Sequence, residues 1–289
     1  MASPIESLLQ KYSPKTPQDY ENALKEIIQE ITLAGLARAQ FFDKAAFYGG
    51  TALRIFYGLP RFSEDLDFTL LKPQPDFRLQ PYFSSVIQVL NSFGFEVDVT
   101  AVDKKPERTA ESAFLKANTQ MHLMKIASAR DLLPAIQKHQ VLQIKFEVDV
   151  DSPLGFETEV KPLLPPITAA VKILKPSSLF AGKMHAVLFR QWKSRIKGRD
   201  FYDLLWYIGQ GIPLKLSYLE RKMQNGVVLK ASEVLTAQSV QERLDQRLKT
   251  IDWQNAKKDV ITFLRDPNEL DTWNLEFFQS VAQMIKFEP

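Results

Sequence analysis

Hydrophobic and polar positions change their period several times along the chain, and the changes mark out its elements. Between Pro17 and Gln40, Leu24, Ile27, Ile28, Ile31, Leu33, Leu36 and Ala37 recur at near-helical spacing, which predicts an amphipathic helix. Phe47 to Leu71 then reads FYGGTALRIFYGLPRFSEDLDFTLL. This stretch predicts a short apolar strand, a Gly-Gly-Thr turn, one or two turns of helix, a proline-broken loop and a second strand. Pro75 to Ser92 looks helical, with Phe83, Val86, Ile87 and Leu90 on one side, and Asn91 to Gly94 ends it.

Alternation marks three strands. In the strand ending the central stretch, Asp65, Asp67 and Thr69 fall on one face, and Leu66, Phe68 and Leu70 on the other, because successive strand side chains point to opposite sides. Phe95 to Thr100 sets Phe95, Val97 and Val99 against Glu96, Asp98 and Thr100; Val141 to Asp151 sets Ile144, Phe146, Val148 and Val150 against Lys145, Glu147, Asp149 and Asp151. If the three share a sheet in one orientation, helices cover the apolar side and carboxylates crowd the other. Ser112 to Asn118 is a weaker strand candidate, and Ala129 to His139 an irregular or partly helical connection. From Pro153 to Pro176 the pattern lapses into a proline-rich passage that reads as a domain junction. Beyond it a helix capped by Ser177 or Ser178 runs to about Trp192, a basic loop covers Lys193 to Arg199, and a helix follows from about Asp200 to Ile208. Further helices are expected over Pro213 to Lys286, anchored by Trp253, Phe263, Trp273 and Phe277.

Two carboxylates projecting side by side from one strand repel each other, and hard oxygen ligands next to phosphate suit Mg²⁺. The Gly-Gly-Thr turn supplies a complementary half. Gly49 and Gly50 let backbone approach a ligand closely, Thr51 offers a hydroxyl at a helix N-cap, and the N–H groups that follow attract phosphate. Each signal alone is weak: acid-x-acid also fits a solvated strand face, and a tight turn needs glycine with or without a ligand.

Composition narrows the chemistry. The 289 residues, 45% hydrophobic and 25% charged, suit one large or two ordinary globular domains. The absence of cysteine removes thiolate metal sites and thiol nucleophiles, and the three scattered histidines show no zinc-ligand spacing. No apolar run suits a membrane span, and Met1 to Gln10 lacks a signal-peptide pattern, so a cytoplasmic location and no membrane partner are expected. Net charge is only +3, yet Lys161 to Gly209 carries nine basic residues against two acidic ones, an excess that attracts a polyanion.

Taken in order, these signals resemble the core signature of polymerase-beta-like nucleotidyltransferases, and more closely the AbiEii/AbiGii toxin family. That family's first motif looks like GGTALR…R.SEDLDF, matched here by Gly49 to Arg54, Arg61 and Ser63 to Phe68. Leu179 to Leu205 resembles its downstream motif, with Lys183, Arg190, Arg199, Asp200 and Asp203 as counterparts; on spacing alone, an interhelical salt-bridge network would be favoured for these residues.

The resemblance implies an α/β protein. A nucleotidyltransferase-type mixed sheet with helices would occupy residues 1–160, and a mostly helical domain, 161–289, would contribute Lys183 and Asp200 to the nucleotide cleft. It implies transfer of a nucleoside monophosphate from an NTP to an acceptor hydroxyl on RNA, tRNA or protein. Asp65 and Asp67 would hold Mg²⁺ or Mn²⁺, with Glu147, which follows Lys145 in the family's Lys-x-acid pattern, as third carboxylate and Asp149 a close second; Gly49, Gly50, Thr51, Arg61, Ser63 and Lys183 would contact the nucleotide. Lys183 would neutralise the leaving pyrophosphate, Asp200 would position Lys183 or the nucleotide, and Asp203 would brace. In biological setting the resemblance implies the toxin of a toxin–antitoxin or abortive-infection system with a separately encoded antitoxin. The alternatives are a non-catalytic nucleotide- or RNA-binding module on the same fold and a small-molecule nucleotidyltransferase.

Overall fold

The computed structural model describes residues 4–101, 119–128, 142–191 and 196–289. The chain forms two compact units, one of Met1–Gly58, Phe62–Ser152 and Thr158–Ile173, the other of Leu59–Arg61, Pro153–Glu157 and Leu174–Pro289. The strand expected over Ser112–Asn118, the connection over Ala129–His139 and the 192–195 part of the basic loop lie outside the described residues.

The first unit contains, in chain order, α1 (Pro4–Gln10), α2 (Pro17–Arg38), β1 (Ala45–Tyr48), α3 (Gly49–Tyr57), β2 (Leu66–Leu70), α4 (Gln80–Ser92), β3 (Phe95–Ala101), β4 (Thr119–Ser128), β5 (Leu142–Asp149), β6 (Thr158–Leu163) and β7 (Ala169–Leu174). The strands make one seven-stranded mixed sheet in the order β3-β4-β5-β2-β1-β7-β6. Neighbours β1/β2, β3/β4 and β4/β5 are antiparallel; β2/β5 and β1/β7 are parallel. The expected α/β class, a mixed sheet with helices, is what the chain adopts.

The three acid-bearing strands do share this sheet. Register pairs Leu66 with Phe146 and Phe68 with Val148, so the apolar faces of β2 and β5 coincide. Phe68 sits at the hub of an aromatic cluster, its ring 5.0 Å from Phe41, 5.2 Å from Phe47 and 6.2 Å from Phe146. Helices α2 and α4 cover this side; α2 contacts β5, α4 contacts β3, and Ser85 Oγ donates to Gly35 O at 2.9 Å between the helices.

Helix α2 departs from simple amphipathicity. A capping box of Thr16 and Asp19 starts it and Pro17 occupies its first turn. From Asn22 to Leu36 every residue but Lys25 is buried, Glu26, Gln29 and Glu30 included. These polar groups are accommodated because α1, α3 and the loop before β2 bring partners: Arg54 Nε donates to Glu26 at 2.8 Å, and Lys11 Nζ lies 3.7 Å from Glu30. The short α1, which the sequence pattern did not reveal, supplies Ile5 and Leu9 to the cover. Helix α4 begins at Gln80 rather than Pro75, since Pro81 is tolerated only in a first turn and fixes the start there.

The proline-rich passage also folds differently from its sequence pattern: β6 and β7 extend the sheet beyond β1. Pro162 is compatible with this because β6 is an edge strand, where a missing N–H leaves no ladder bond unmade.

In the second unit, α5 (Pro176–Phe189) and α6 (Gly198–Gly209) are followed by β8 (Leu214–Lys215), α7 (Leu216–Asn225), α8 (Ala237–Leu248), α9 (Trp253–Val260), α10 (Leu275–Ala282) and β9 (Phe287–Glu288), which pairs with β8. Its aromatic anchor is Phe278 rather than Phe277. The Phe278 ring stacks on Trp253 at 4.2 Å and meets Trp273 edge-on at 5.2 Å, while Phe277 lies half-buried beside the Asn274 cap.

Candidate active site

The turn between β1 and α3 places backbone against a carboxylate. Tyr48 pairs with Asp67 across the antiparallel β1/β2 ladder, and α3 starts immediately afterwards, at Gly49. Tyr48 is the N-cap and contributes no side-chain cap bond; Thr51, expected at that position, lies inside the first turn instead. Gly49 has φ +85°, and a Cβ built on it would stand 2.3 Å from Asp67 Oδ2. Glycine is therefore required twice over, by backbone conformation and by the carboxylate that fills the space of a side chain. Thr51 is fully buried and its hydroxyl donates to the carbonyl of Asp65, which ties α3 to the start of β2. Its side-chain proton is thus committed to the fold, leaving backbone N–H groups as the turn's means of meeting an anion.

Asp65 and Asp67 are half-buried on the side of the sheet away from the aromatic core. The parallel β2/β5 register sets Glu147 directly beside Asp67 and Asp149 beside Thr69. Glu147 is ion-paired with Lys145, and Asp149 Oδ1 accepts from the Asp151 N–H at 3.1 Å. Asp67 and Glu147 are thus neighbouring carboxylates on adjacent strands, with Asp65 just upstream. Among the described residues no three or more Asp, Glu, His or Cys side chains are gathered into a ready-made cage for an ion. A hard-oxygen pair nonetheless fits Mg²⁺ or Mn²⁺, because Mg²⁺ is commonly held by one or two carboxylates and completes its shell with water and substrate phosphate oxygens.

The remaining predicted residues belong to the second unit, where α5 and α6 carry a charge cluster. Lys183 Nζ lies 2.8 Å from Asp200 Oδ1 and 2.8 Å from Asp203 Oδ2. Arg190 Nη1 donates to Asp200 Oδ2 at 2.6 Å. Arg61 is 3% exposed and forks onto Asp203, Nε to Oδ1 at 2.6 Å and Nη2 to Oδ2 at 2.7 Å. Burial alone would raise both carboxyl pKa values. Lys183 and Arg190 at Asp200, and Arg61 and Lys183 at Asp203, reverse that and hold both below the ordinary range. Arg199 Nε lies 3.6 Å from Asp259 Oδ2, and its guanidinium covers the Phe263 ring at 4.2 Å.

The residues fall into two groups. Asp67, Glu147 and Asp149 lie on adjacent strands of one sheet, with Gly49, Gly50 and Thr51 at the start of α3 and Ser63 and Asp65 in the loop leading to β2; Arg61, Lys183, Arg190, Asp200 and Asp203 form the second cluster. Sequence reasoning did not join Arg61 to Asp203, 142 positions away. Nor did it single out Gln29, whose signal was a polar residue inside an apolar helical run.

Comparison with known proteins bears on this arrangement. A family model described as nucleotidyl transferase AbiEii toxin, type IV TA system, matches residues 31–280. Among solved structures, JHP933 from Helicobacter pylori is similar with a TM-score of 0.52 and 20% identity, covering 91% of this chain and 90% of that one. An H. pylori protein described as a candidate nucleotidyltransferase is similar with a TM-score of 0.52 and 19% identity, covering 90% of this chain and 92% of that one. At such identities the likeness concerns the fold. A comparison with curated proteins finds no match.

Proposed function

This chain belongs to the AbiEii nucleotidyl transferase toxin family, and from that premise we propose that it transfers a nucleoside monophosphate from an NTP to an acceptor hydroxyl on RNA. It is a nucleotidyltransferase, and its family places it in a type IV toxin–antitoxin system, which implies a separately encoded antitoxin. The observation that carries the site assignment is the pairing of Asp67 with Glu147 across β2 and β5, with Asp67 pressed against the Gly49 turn.

Asp65, Asp67 and Glu147 would hold Mg²⁺ or Mn²⁺; the bound ion supplies Lewis-acid stabilisation of the triphosphate oxygens. Glu147 is assigned ahead of Asp149 because it is the carboxylate in register with Asp67. The acceptor oxygen attacks the α-phosphorus, the bond from that phosphorus to the bridging oxygen of pyrophosphate breaks, and the acceptor proton passes to Glu147. Backbone N–H groups of Gly50 and Thr51 meet the phosphates as they develop charge, and Lys183 neutralises the departing pyrophosphate. Asp200 orients Lys183, and Arg61 acts through Asp203. RNA is assigned as acceptor on the basic excess of residues 161–209, part of which is taken up by ion pairs with carboxylates. With NTPs and RNA as reactants, the protein acts in the cytoplasm; among the described residues no helix is long and apolar enough to cross a membrane.

The test incubates the protein with each labelled NTP, Mg²⁺ and total cellular RNA. Labelled RNA and released pyrophosphate are expected from the wild type, and neither from Asp65→Ala or Asp67→Ala, both of which should fold because these acids face away from the core. Transfer retained in either variant rejects the metal assignment, and nucleotide binding without pyrophosphate release favours a non-catalytic module. Label on a small molecule in place of RNA would identify a small-molecule transferase.

A further inference from the structure

Residues 62–65 have no regular secondary structure, yet the three carbonyls before β2 are each held by a side chain from a helix. Gln29, wholly buried in α2, directs its carboxamide at the first two, Nε2 donating to Ser63 O at 3.1 Å and to Glu64 O at 2.9 Å. Thr51, from α3, donates to the third, Asp65 O. Lys25 adds a contact to the Glu64 carboxylate at 3.3 Å. Both backbone acceptors can only receive a proton, so the orientation of the Gln29 amide is fixed by chemistry.

A carbonyl held in place fixes the peptide plane to which it belongs. With three successive planes fixed, the Cα–Cβ direction of Asp65 has no backbone freedom left. The arrangement is not the one stability alone would select. Gln29 Oε1 is buried and, among the described residues, has no hydrogen-bond partner. A buried acceptor left unmade costs free energy that an apolar side chain of the same size would avoid. What the amide supplies in return is two N–H donors aimed at the backbone that presents Asp65.

We propose that Gln29 is a positioning residue for the transfer reaction, holding the Ser63–Asp65 backbone so that Asp65 meets the divalent ion without reorganising. The inference rests on the reading of Asp65 as an ion-holding carboxylate. Groups that orient metal ligands typically affect metal affinity or activity by about 10–100-fold when removed.

The experiment uses the full-length protein and compares wild type, Gln29→Met and Asp65→Ala for kcat, KM for NTP, the Mg²⁺ concentration at half-maximal rate, and Tm. Met keeps the volume and removes the donors. Gln29→Met should keep a Tm near that of the wild type and KM for NTP within about threefold. Its kcat should fall about 10–100-fold, and its half-maximal Mg²⁺ concentration should rise. A part that only packed the helix would move Tm and leave the Mg²⁺ requirement alone. A folded Gln29→Met with wild-type kcat and Mg²⁺ requirement, beside an inactive Asp65→Ala, overturns the positioning role and leaves the function standing. An active Asp65→Ala overturns the positioning role together with the metal assignment on which it rests. Should Gln29→Met fail to fold, Gln29→Leu takes its place: a folded variant with lowered kcat and a raised Mg²⁺ requirement supports the role, and wild-type values for both overturn it.

Discussion

Replacing Gly49 with alanine tests how tightly the β1–α3 turn and the acid strand are coupled. At φ +85° a residue with a Cβ is strained by about 1–2 kcal/mol, partly offset by the smaller entropy of an unfolded chain containing alanine. The larger consequence is local. The new methyl would stand 2.3 Å from Asp67 Oδ2 and 3.2 Å from the Asp67 Cβ and Cγ. Ordinary contacts of this kind lie nearer ~3.5 Å, so the carboxylate must move by about 1 Å. A misplacement of that size in a catalytic constellation can cost on the order of 10²-fold in rate. Gly58 supplies the control. It closes α3 at φ +80°, and a Cβ there meets nothing within 4 Å, so Gly58→Ala carries the backbone cost alone. Urea unfolding should therefore show both variants destabilised to a similar degree, roughly 1 kcal/mol. Labelled transfer at saturating NTP should fall about 10²-fold in Gly49→Ala only. Equal activity in the two variants would refute the claim that Asp67 occupies the side-chain space of residue 49 for a catalytic reason.

Two further predictions concern buried charge, with opposite signs. Asp203→Asn leaves Arg61 buried opposite a neutral group and should cost about 3–5 kcal/mol in urea unfolding at pH 7. Because Asp200 and Asp203 titrate below their ordinary value, their stabilisation is present above about pH 4 and is lost as pH falls through the folded values; the acid limb of a stability–pH curve should be shallower in Asp203→Asn, and an unchanged limb would count against the pairing. Glu30 behaves inversely: burial, opposed by Lys11, pushes its carboxyl up to about 7, so the folded state binds the extra proton and stability falls as pH rises from about 4.5 through 7. Glu30→Gln should accordingly stabilise by on the order of 1–3 kcal/mol at pH 8 and change little at pH 4, and a Tm gain of equal size at both pH values would contradict it.

How much of this could be read from the sequence depended on whether the information was local. Alternation put Asp65 and Asp67 opposite Leu66 and Phe68, and it did the same for Glu147 and Asp149, because strand period is a property of one segment. Strand period alone does not separate Glu147 from Asp149, and the preference for Glu147 rests on the family's Lys-x-acid pattern after Lys145; how β5 lies beside β2 is not a property of one segment, and a shift of two residues would exchange the two acids without disturbing either apolar face. The same limit hid β6 and β7, whose short runs and prolines suit an edge position that only the assembled sheet defines. It also hid the burial of Glu26, Gln29 and Glu30: helical period assigns such residues to solvent unless a partner arrives from elsewhere, and here the partners come from α1, α3 and the loop before β2.

Charge counting along the chain misjudged the second cluster in a similar way, and the correction sharpens what that cluster can do. Of the nine basic residues from Lys161 to Gly209, Lys161, Lys175, Lys183, Arg190 and Arg199 each lie within 4 Å of a carboxylate, so the excess facing a polyanion is smaller than the sequence suggests. Within the cluster, Arg61, Lys183 and Arg190 bond Asp200 and Asp203. The Arg61 fork occupies both oxygens of Asp203 at the fully buried end. Lys183 bridges Asp203 and Asp200, Arg190 bonds Asp200, and the Lys183 and Arg190 side chains are 14% and 39% exposed. A bracing network and an anion site are thus not competing descriptions. The buried half fixes the geometry, and Arg190 is the more exposed cation, at which a compact anion such as a phosphate could be met; a neutral pair in place of Arg61 and Asp203 would remove one of the two carboxylates that hold Lys183. That division of labour explains why a guanidinium 142 positions from Asp203 is buried beside it.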